Sequence, residues 1–375
     1  MTVTSGLGWP AVVSVVSPTG LGWPRAGRQR GPVPRETDEP ERERSAAMTA
    51  DPDEAPDPAA AGHDAANETP GAGEALAGHD RPAAAGDTPI AAAARVAVRL
   101  RAPATGDAFA RPARTRVIVV ANQKGGVGKT KTTVILGAAL ALHGQRVLVV
   151  DLDPQGNAST ALGVHHAAGS ASVYDSVIDG RELGAAVQDS PEIAGLRVVP
   201  ATIDLAGAEI ELVPMVAREL RLRRAITAHL AALAEEERPD YVLIDCPPSL
   251  GLLTLNALVA AEEVLIPIQC EYYALEGLGQ LVQTIEMVTG HLNAGLTIST
   301  ILLTMYDART RLAAQVADEV RAHFADRVLS TAIPRSVRVS EAPSYGQTVL
   351  TYDPGSSGSL SYVEAARELA ASLPR

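Results

Sequence analysis

Lysine is almost absent from this sequence: Lys124, Lys129 and Lys131 are the only three among 375 residues, although lysine and arginine together number 32. Cysteine is scarce too, since Cys246 and Cys270 are too few for a disulfide framework or a four-thiolate metal site, and a reducing cytoplasm fits best. No apolar run approaches the ~20 residues of a membrane helix. No charged segment precedes the first apolar residues, so we expect no secretory signal.

A net positive charge is also missing. The chain carries 44 acidic and 32 basic side chains, a formal net charge of −12. Residues 1–113 hold 11 basic and 15 acidic groups, and the remainder holds 21 and 29. Neither part resembles a protein that coats nucleic acid, so any DNA contact must come from a local patch.

Residues 1–113 form a segment rich in Ala, Pro, Gly and Asp, with few large apolar side chains after Trp23. Such a segment buries too little apolar surface to offset its conformational entropy, so we predict a disordered N-terminal extension. Residues 114–375 are predicted to form one folded domain.

In that domain short apolar runs alternate with helix-length segments, which predicts an α/β fold: a mostly parallel central sheet flanked by helices. Ligands of such sheets bind at the carboxyl ends of the strands. The predicted strands are 116–121, 146–151, 196–200, 241–245, 263–268, 298–304 and 328–333. The predicted helices are 129–143, 208–235, 252–260, 274–291, 311–324 and 359–372.

A glycine-rich loop, KGGVGKT at 124–130, lies between the first predicted strand and the first helix, the context of a phosphate-binding loop. Glycines let backbone N–H groups turn toward phosphate oxygens, and the helix N-terminus adds its dipole. Lys129 is predicted to contact the β- and γ-phosphates, and the Thr130 hydroxyl to bind Mg²⁺. Gln123 replaces the first glycine of the strict pattern. The predicted nucleotide-binding residues are Lys124, Gly125, Gly126, Val127, Gly128, Lys129 and Thr130.

Carboxylates follow two further apolar strands. Asp151 and Asp153 lie at and just past the end of the strand at 146–151, and Asp245 ends the strand at 241–245 in the manner of a Walker B aspartate. Acids placed there are suited to the metal ion and to the attacking water.

These segments together resemble the ParA family of partition ATPases, in its Soj-like branch. The matching segments span about 114–375 in order: KGGVGKT at 124–130, DLDPQGN at 151–157, DCPPSLG at 245–251, QCEYYALEG at 269–277, TMYDART at 304–310 and IPRSVRVSEAPS at 333–344. The resemblance implies a P-loop NTPase of the deviant Walker A type that uses ATP and Mg²⁺. It implies an ATP-bound homodimer in which Lys124 reaches the partner's phosphates and Asp153 is needed for hydrolysis. Thr130, Asp151 and Asp245 would lie on or near Mg²⁺, and Pro334 near the adenine.

The same resemblance implies non-specific DNA binding by the dimer, a ParB-like centromere-binding partner, and a cytoplasmic protein associated with the nucleoid. The corresponding DNA-binding residues are Arg335 and Arg338. Two features depart from the family. Lys131 replaces a threonine that usually contacts the nucleotide, so its charge either adds a phosphate contact or perturbs the loop. The segment at 352–358 lacks the usual basic residues, which predicts weaker DNA binding.

Other functions share parts of this pattern. A Min-type ATPase would need a basic amphipathic terminal helix for the membrane, whereas the C-terminal segment carries balanced charge, so we expect no membrane partner. A protein like the nitrogenase iron protein would use two cysteines per subunit, but Cys246 and Cys270 are better explained as small core residues. A ParA relative that positions other cargo on the nucleoid shares every motif.

Overall fold

A seven-stranded sheet organises the domain, and every neighbouring pair of strands but one is parallel. The strands lie in the order β3-β4-β2-β5-β1-β6-β7, with β3 antiparallel to β4 at one edge. This confirms the predicted α/β class. The strands are β1 (Arg116–Val120), β2 (Val147–Asp151), β3 (Gln188–Asp189), β4 (Leu196–Val199), β5 (Tyr241–Asp245), β6 (Glu263–Gln269) and β7 (Thr297–Thr304).

The computed structural model describes residues 108–271 and 274–372. Residues 1–107, which include most of the predicted disordered extension, lie outside the described residues, as do Tyr272 and Tyr273 of the 269–277 motif. Residues 108–113 pack against the domain, although the predicted domain begins only at residue 114. The Phe109 ring stacks on His143 with centroids 4.3 Å apart, and its carbonyl accepts a hydrogen bond from Gln145 at 2.7 Å.

The central strands are buried on both faces, as continuous apolar runs require. Ile118, Val149 and Leu243 contribute to one core cluster, while the alternate residues Val119 and Val150 are equally buried. Because side chains alternate across a strand, helices must cover both sides of the sheet.

The helices are α1 (Lys129–Leu142), α2 (Asn157–Ala161), α3 (Ala208–Leu212), α4 (Arg221–Ala232), α5 (Leu252–Ala260), α6 (Ala274–His291), α7 (Arg311–Phe324), α8 (Val337–Glu341), α9 (Val349–Tyr352) and α10 (Ser357–Ala371). Helix α1 carries the phosphate loop and packs with α10 on one face of the sheet. Gly137 lets α1 approach the strands, since a methyl group there would lie 3.2 Å from Val149. No helix among the residues described above is long and apolar enough to cross a membrane.

Two predicted elements are wrong. The helix predicted at 208–235 is interrupted between α3 and α4, where Pro214 has no N–H to donate and Ala217 adopts a left-handed φ of 50°. The strand predicted at 328–333 does not form. That segment forms an isolated bridge between Val328 and Ile301, and its other backbone hydrogen bonds in this region join Leu329 to Ile301, Ile333 to Leu303 and Tyr306 to Ile333.

Candidate functional site

The loop after β1 has the backbone that a phosphate cradle requires. Gly126 and Gly128 have φ angles of 78° and 92°, which side chains disfavour, and α1 begins directly after Gly128. The buried Val127 carbonyl accepts a hydrogen bond from Thr304 at 2.8 Å, so the end of β7 fixes the loop. This loop backbone and the following helix are suited to bind an anion, and the assignment of the phosphates to this loop stays a prediction.

Lys129 lies across this loop rather than in solvent. Its side chain is 7% exposed, and its Nζ lies 3.4 Å from the Lys124 carbonyl oxygen. Burial lowers the pKa of Lys129, and the negative charge of Asp245 partly opposes this effect. A buried ammonium in a glycine loop is suited to bind the β- and γ-phosphates of a nucleotide.

Asn122, which the sequence analysis missed, connects the phosphate loop with strand β6. Its Oδ1 accepts a hydrogen bond from the Lys124 N–H at 3.0 Å, and its Nδ2 donates to the Pro267 carbonyl at 2.8 Å. It is only 8% exposed. Its position two residues after the end of β1 was the available signal, because an amide there can both donate and accept.

Lys124 is directed toward the loop after β6. Its Nζ lies 2.8 Å from Oε2 of Glu271, whose Oε1 is 4.0 Å from Arg335 and also accepts a hydrogen bond from Gln269. Lys124 is not among the residues that line the cavity of its own phosphate loop. Both partners are partly exposed, so the pair is weak and exchangeable.

Two fully buried carboxylates stand side by side at the ends of neighbouring strands, since Asp151 of β2 pairs in register with Asp245 of β5. Burial raises the pKa of Asp151 to about 6, although hydrogen bonds from Ser159 and Asp153 oppose the rise. The pKa of Asp245 is raised well above its usual value by burial first and then by the charge of Asp151. Such a pair favours a bound cation.

The two carboxylates differ in how their oxygens are used. Asp151 Oδ2 accepts from the Ser159 N–H at 2.9 Å and its hydroxyl at 2.7 Å, and Oδ1 accepts from the Asp153 N–H at 3.2 Å. Asp245 Oδ1 accepts from Thr133 at 3.3 Å, while its buried Oδ2 has no hydrogen-bond partner in the described part of the chain. Asp245 therefore has an oxygen free for a cation, whereas Asp151 orders the loop that follows it.

This arrangement fits Mg²⁺. The Thr130 hydroxyl also interacts with Asp245 and lowers its pKa. Within residues 108–271 and 274–372 no group of three or more His, Cys, Asp or Glu side chains forms a metal cage. Mg²⁺ at nucleotide sites is typically held by one or two carboxylates, waters and substrate phosphates, so Asp245 and Thr130 suffice on the protein side.

A cavity of about 390 Å³ opens beside the loop. Predicted site residues that line it are Gly125, Gly126, Gly128, Lys129, Thr130, Lys131 and Asp153. The sequence analysis missed a second group of lining residues: Val134, Ile135, Asn157, Thr160, Ala161, Pro248, Val339, Ser340, Pro343, Gln347, Thr348 and Val349. Asp153 is 8% exposed, and its Oδ1 accepts a hydrogen bond from the Gln155 N–H at 3.0 Å.

Lys131 extends from α1 to α8, where its Nζ donates to the Ser340 hydroxyl at 2.9 Å. Both residues line the cavity, and burial lowers the pKa of Lys131. Pro334 does not line the cavity; it forms a parallel bridge with Tyr306 beside β7. Its assignment to the adenine stays a prediction.

The predicted DNA-binding arginines are exposed, yet both lie near acids. The Arg335 side chain is 66% exposed and 4.0 Å from Glu271. The Arg338 guanidinium lies 3.1 Å from Glu341 and 3.4 Å from Asp353, at 55% exposure. Their positive charge is therefore partly neutralised in the isolated chain, and their role in DNA binding stays a prediction.

Both cysteines are buried and free. Burial raises the pKa of Cys246 well above its usual value and that of Cys270 to about 11. Neutral, buried thiols pack as small apolar residues, as predicted.

Comparisons with known proteins agree with this site. A family model described as an AAA domain matches residues 115–298. The sporulation initiation inhibitor protein Soj of Bacillus subtilis (strain 168) is 53% identical over 256 residues, covering 68% of this chain and 98% of that protein. The chromosome partitioning protein ParA of Caulobacter vibrioides (strain NA1000 / CB15N) is 52% identical over 255 residues, covering 68% and 93%.

A crystal structure of cobyrinic acid a,c-diamide synthase from Mycobacterium smegmatis, with bound ATP analog and magnesium, is similar with a TM-score of 0.56 and 41% identity, covering 68% of this chain and 93% of that one. Soj and ParA are more similar to this chain in sequence than the synthase is, and they match it over nearly their whole lengths. This chain therefore belongs to the Soj/ParA family of chromosome partitioning proteins.

Proposed function

We propose that this protein is a partitioning ATPase, which hydrolyses ATP to ADP and phosphate to move chromosomal or plasmid DNA in the cytoplasm. ATP and Mg²⁺ occupy the cavity beside the phosphate loop. Support comes from the family, from the similar structure with an ATP analog and magnesium, and from the unpaired Asp245 oxygen beside Thr130.

The roles of the residues follow from their surroundings. Lys129 and the loop N–H groups would bind the phosphates, and Asp245 with Thr130 would hold Mg²⁺, whose charge would offset that of the phosphate oxygens. Asp153 lines the cavity, so its carboxylate can orient the attacking water. Asp151 positions Asp153 by accepting its backbone N–H.

The observation that carries the proposed mechanism is the direction of Lys124. It pairs with Glu271 outside the cavity of its own chain, so its ammonium can instead reach the phosphates of a second subunit. A cation supplied by a partner stabilises the charge that spreads over the transferred phosphoryl group. Hydrolysis then depends on an ATP-bound homodimer.

Exposed apolar side chains support such a dimer. Ile210, Val213 and Val216, on α3 and the turn after it, are 78%, 57% and 89% exposed. Leu250, in the loop after β5, is 38% exposed. The Glu209 carboxylate of α3 lies against Gly251 of that loop, which connects these residues with the strand that carries Asp245. In this proposal these exposed apolar residues belong to the dimer interface.

In this proposal the dimer binds DNA without sequence preference through Arg335 and Arg338, and a ParB-like centromere-binding protein stimulates hydrolysis. The nucleoid association follows from that DNA binding. Positioning of another cargo on the nucleoid is the second candidate, since it would use the same residues. Partner-stimulated turnover with a ParB-like protein distinguishes the two.

The test is ATP turnover by the full chain with Mg²⁺, with and without duplex DNA and the ParB-like protein of the same genome. We expect Lys129→Ala to lose ATP binding, and Lys124→Ala to bind ATP but neither dimerise nor turn it over. Lys131→Thr, which restores the usual family residue, is the matched lysine control and should retain turnover. Normal stimulated turnover by Lys124→Ala would refute the trans-lysine mechanism.

A further inference from the structure

A second cavity, of about 800 Å³, lies at the β3 edge of the sheet and shares no lining residue with the cavity beside the phosphate loop. It is bounded by a π-helical turn (Asp175–Asp179), a 3₁₀ turn (Leu183–Ala186), the strands β3 and β4, and the helix α4. Arg197, which lines this cavity, is the second residue of β4 and so lies near the start of that strand. The phosphate site lies instead at the carboxyl ends of β1, β2 and β5. The two cavities therefore lie toward opposite ends of the sheet.

Positive charge predominates in this cavity. Four arginines line it, Arg181, Arg197, Arg221 and Arg224, against two carboxylates, Glu182 and Asp189. Arg181 is paired with Asp175 at 2.8 Å and Asp179 at 3.6 Å, so its charge is neutralised locally. The other three have no carboxylate partner in the described part of the chain.

Those three arginines are held to different degrees. Arg221 donates to the Val177 carbonyl and to the Ile178 carbonyl at 2.7 Å, which fixes its guanidinium at the end of the π-helical turn. Arg197 donates to the Glu237 carbonyl at 2.8 Å. The Arg224 side chain is exposed and makes no hydrogen bond or ion pair with another described residue. The guanidinium groups of Arg197 and Arg221 are thus held in place before a ligand binds, whereas that of Arg224 is free to move toward a ligand.

Two buried polar atoms of the lining residues lack partners. Ser176 is 3% exposed, and its Oγ makes no hydrogen bond to any described residue. Nε2 of His229 is likewise buried without a partner. Buried polar groups are nearly always paired, so each unpaired one needs an explanation. Ser176 lies within a π-helical turn, a conformation common at functional sites.

The lining also has an apolar part. Ala225, Ala228 and Ala232 of α4, together with Leu183 and Leu233, form a surface free of charge. Cavities of 300–1,000 Å³ that combine apolar walls with a few convergent polar groups are typical of small-molecule sites. A ligand for this cavity therefore needs an anionic head and a small apolar body.

We propose that this cavity is a second ligand site, which binds a small phosphate monoester. Its phosphate would be bound by Arg197, Arg221 and Arg224, and its body would pack on α4. A phosphate monoester offers three acceptor oxygens and nearly two negative charges, which match several guanidinium forks and the Ser176 hydroxyl better than a carboxylate does. The unpaired His229 Nε2 would donate to the same group once protonated.

The first test uses phenyl phosphate as the probe, on the full chain saturated with Mg-ADP so that the phosphate loop is filled. Isothermal titration calorimetry should show saturable binding of phenyl phosphate, weaker binding of inorganic phosphate and none of phenol. Failure of phenyl phosphate to bind saturably, or equal binding of phenol, would overturn the proposal.

The second test compares two neighbouring arginines of α4. Arg224 lines the cavity and Arg223 does not, and both are exposed, so neither substitution should impair folding. We expect Arg224→Ser to weaken phenyl phosphate binding about tenfold or more and Arg223→Ser to change it less than about twofold. Equal losses in the two variants would mean non-specific attraction to a cationic helix, which would refute the site.

The third test measures the pKa of His229. Burial lowers its pKa, and the charge of Arg197 lowers it further. A bound phosphate would oppose both effects, so the His229 pKa from NMR should rise on addition of phenyl phosphate. The rise should be retained in Arg223→Ser and reduced in Arg224→Ser, and an unchanged His229 pKa would contradict the proposal. Unaltered Mg-ADP affinity would show that each variant is folded.

Discussion

Asp245→Asn is predicted to stabilise the protein in the absence of Mg²⁺ while removing its metal site. Asp245 is fully buried, and its Oδ2 has no hydrogen-bond partner among the described residues. A carboxylate kept in that position for a cation destabilises the fold when the cation is absent. Asparagine keeps the shape and the Oδ1 acceptor for Thr133 without the charge.

The raised pKa of the neighbouring Asp151 indicates how large the gain in stability of Asp245→Asn should be. Raising its pKa from 3.8 to about 6 corresponds to about 3 kcal/mol at neutral pH. Asp245 is equally buried and has fewer hydrogen bonds to its carboxylate. The variant also loses the attraction between Asp245 and Lys129, but that attraction is the smallest of the causes that act on the pKa of Asp245. We therefore expect a net gain of about 1–3 kcal/mol.

The gain should depend on pH. Because the folded protein raises the pKa of Asp245, the stability of the wild type linked to this group is complete below the unfolded pKa, near 3.8, and is lost as pH rises through the folded pKa. Asparagine does not titrate. The difference in stability between variant and wild type should thus be small near pH 4 and larger at pH 7.

The assay is thermal unfolding without Mg²⁺ or nucleotide, where each kcal/mol corresponds to roughly 2–4 °C in Tm. Adding Mg-ATP should raise the Tm of the wild type more than that of the variant.

Asp151→Asn is the matched control. Its amide would face the two Ser159 donors that Oδ2 now accepts, so it should gain less or lose stability. A Tm of Asp245→Asn at or below wild type at pH 7, or a gain independent of pH, would refute this reasoning.

Two further predictions concern hydrolysis and DNA. Asp153→Asn keeps the acceptor for the Gln155 N–H but removes the carboxylate, so size-exclusion chromatography with Mg-ATP should show a persistent dimer without turnover; a strictly monomeric variant that binds ATP would contradict it. Arg338→Ala should weaken ATP-dependent binding to unrelated duplexes equally, with a salt slope shallower by roughly 0.9 per lost phosphate contact. Glu341→Gln, which removes one acid beside Arg338, should strengthen binding, and unchanged titrations for both variants would exclude this arginine from the DNA site.

The sequence by itself determined the local features of the fold. The run at 241–244 is apolar throughout and ends at Asp245, and a short apolar run of that kind favours a strand buried on both faces. The glycines at 126 and 128 permit positive φ, and the helical pattern starts immediately afterwards, so strand, loop and helix could be predicted together. The predicted strand ends also placed Asp151 and Asp245 at one edge of the sheet, because parallel strands bring their carboxyl ends together.

Only the tertiary structure decided what depends on distant partners. Lys124 and Glu271 are 147 residues apart in the chain, and nothing local indicates their 2.8 Å contact. The segment at 328–333 is apolar enough for a strand, but it meets β7 at isolated points, so pairing rather than composition decides its state. The difference between Asp151 and Asp245 depends on Ser159, whose two donors reach only one of the carboxylates. Hydrogen bonds and burial are properties of the assembled neighbourhood, and a single sequence specifies them only through the fold.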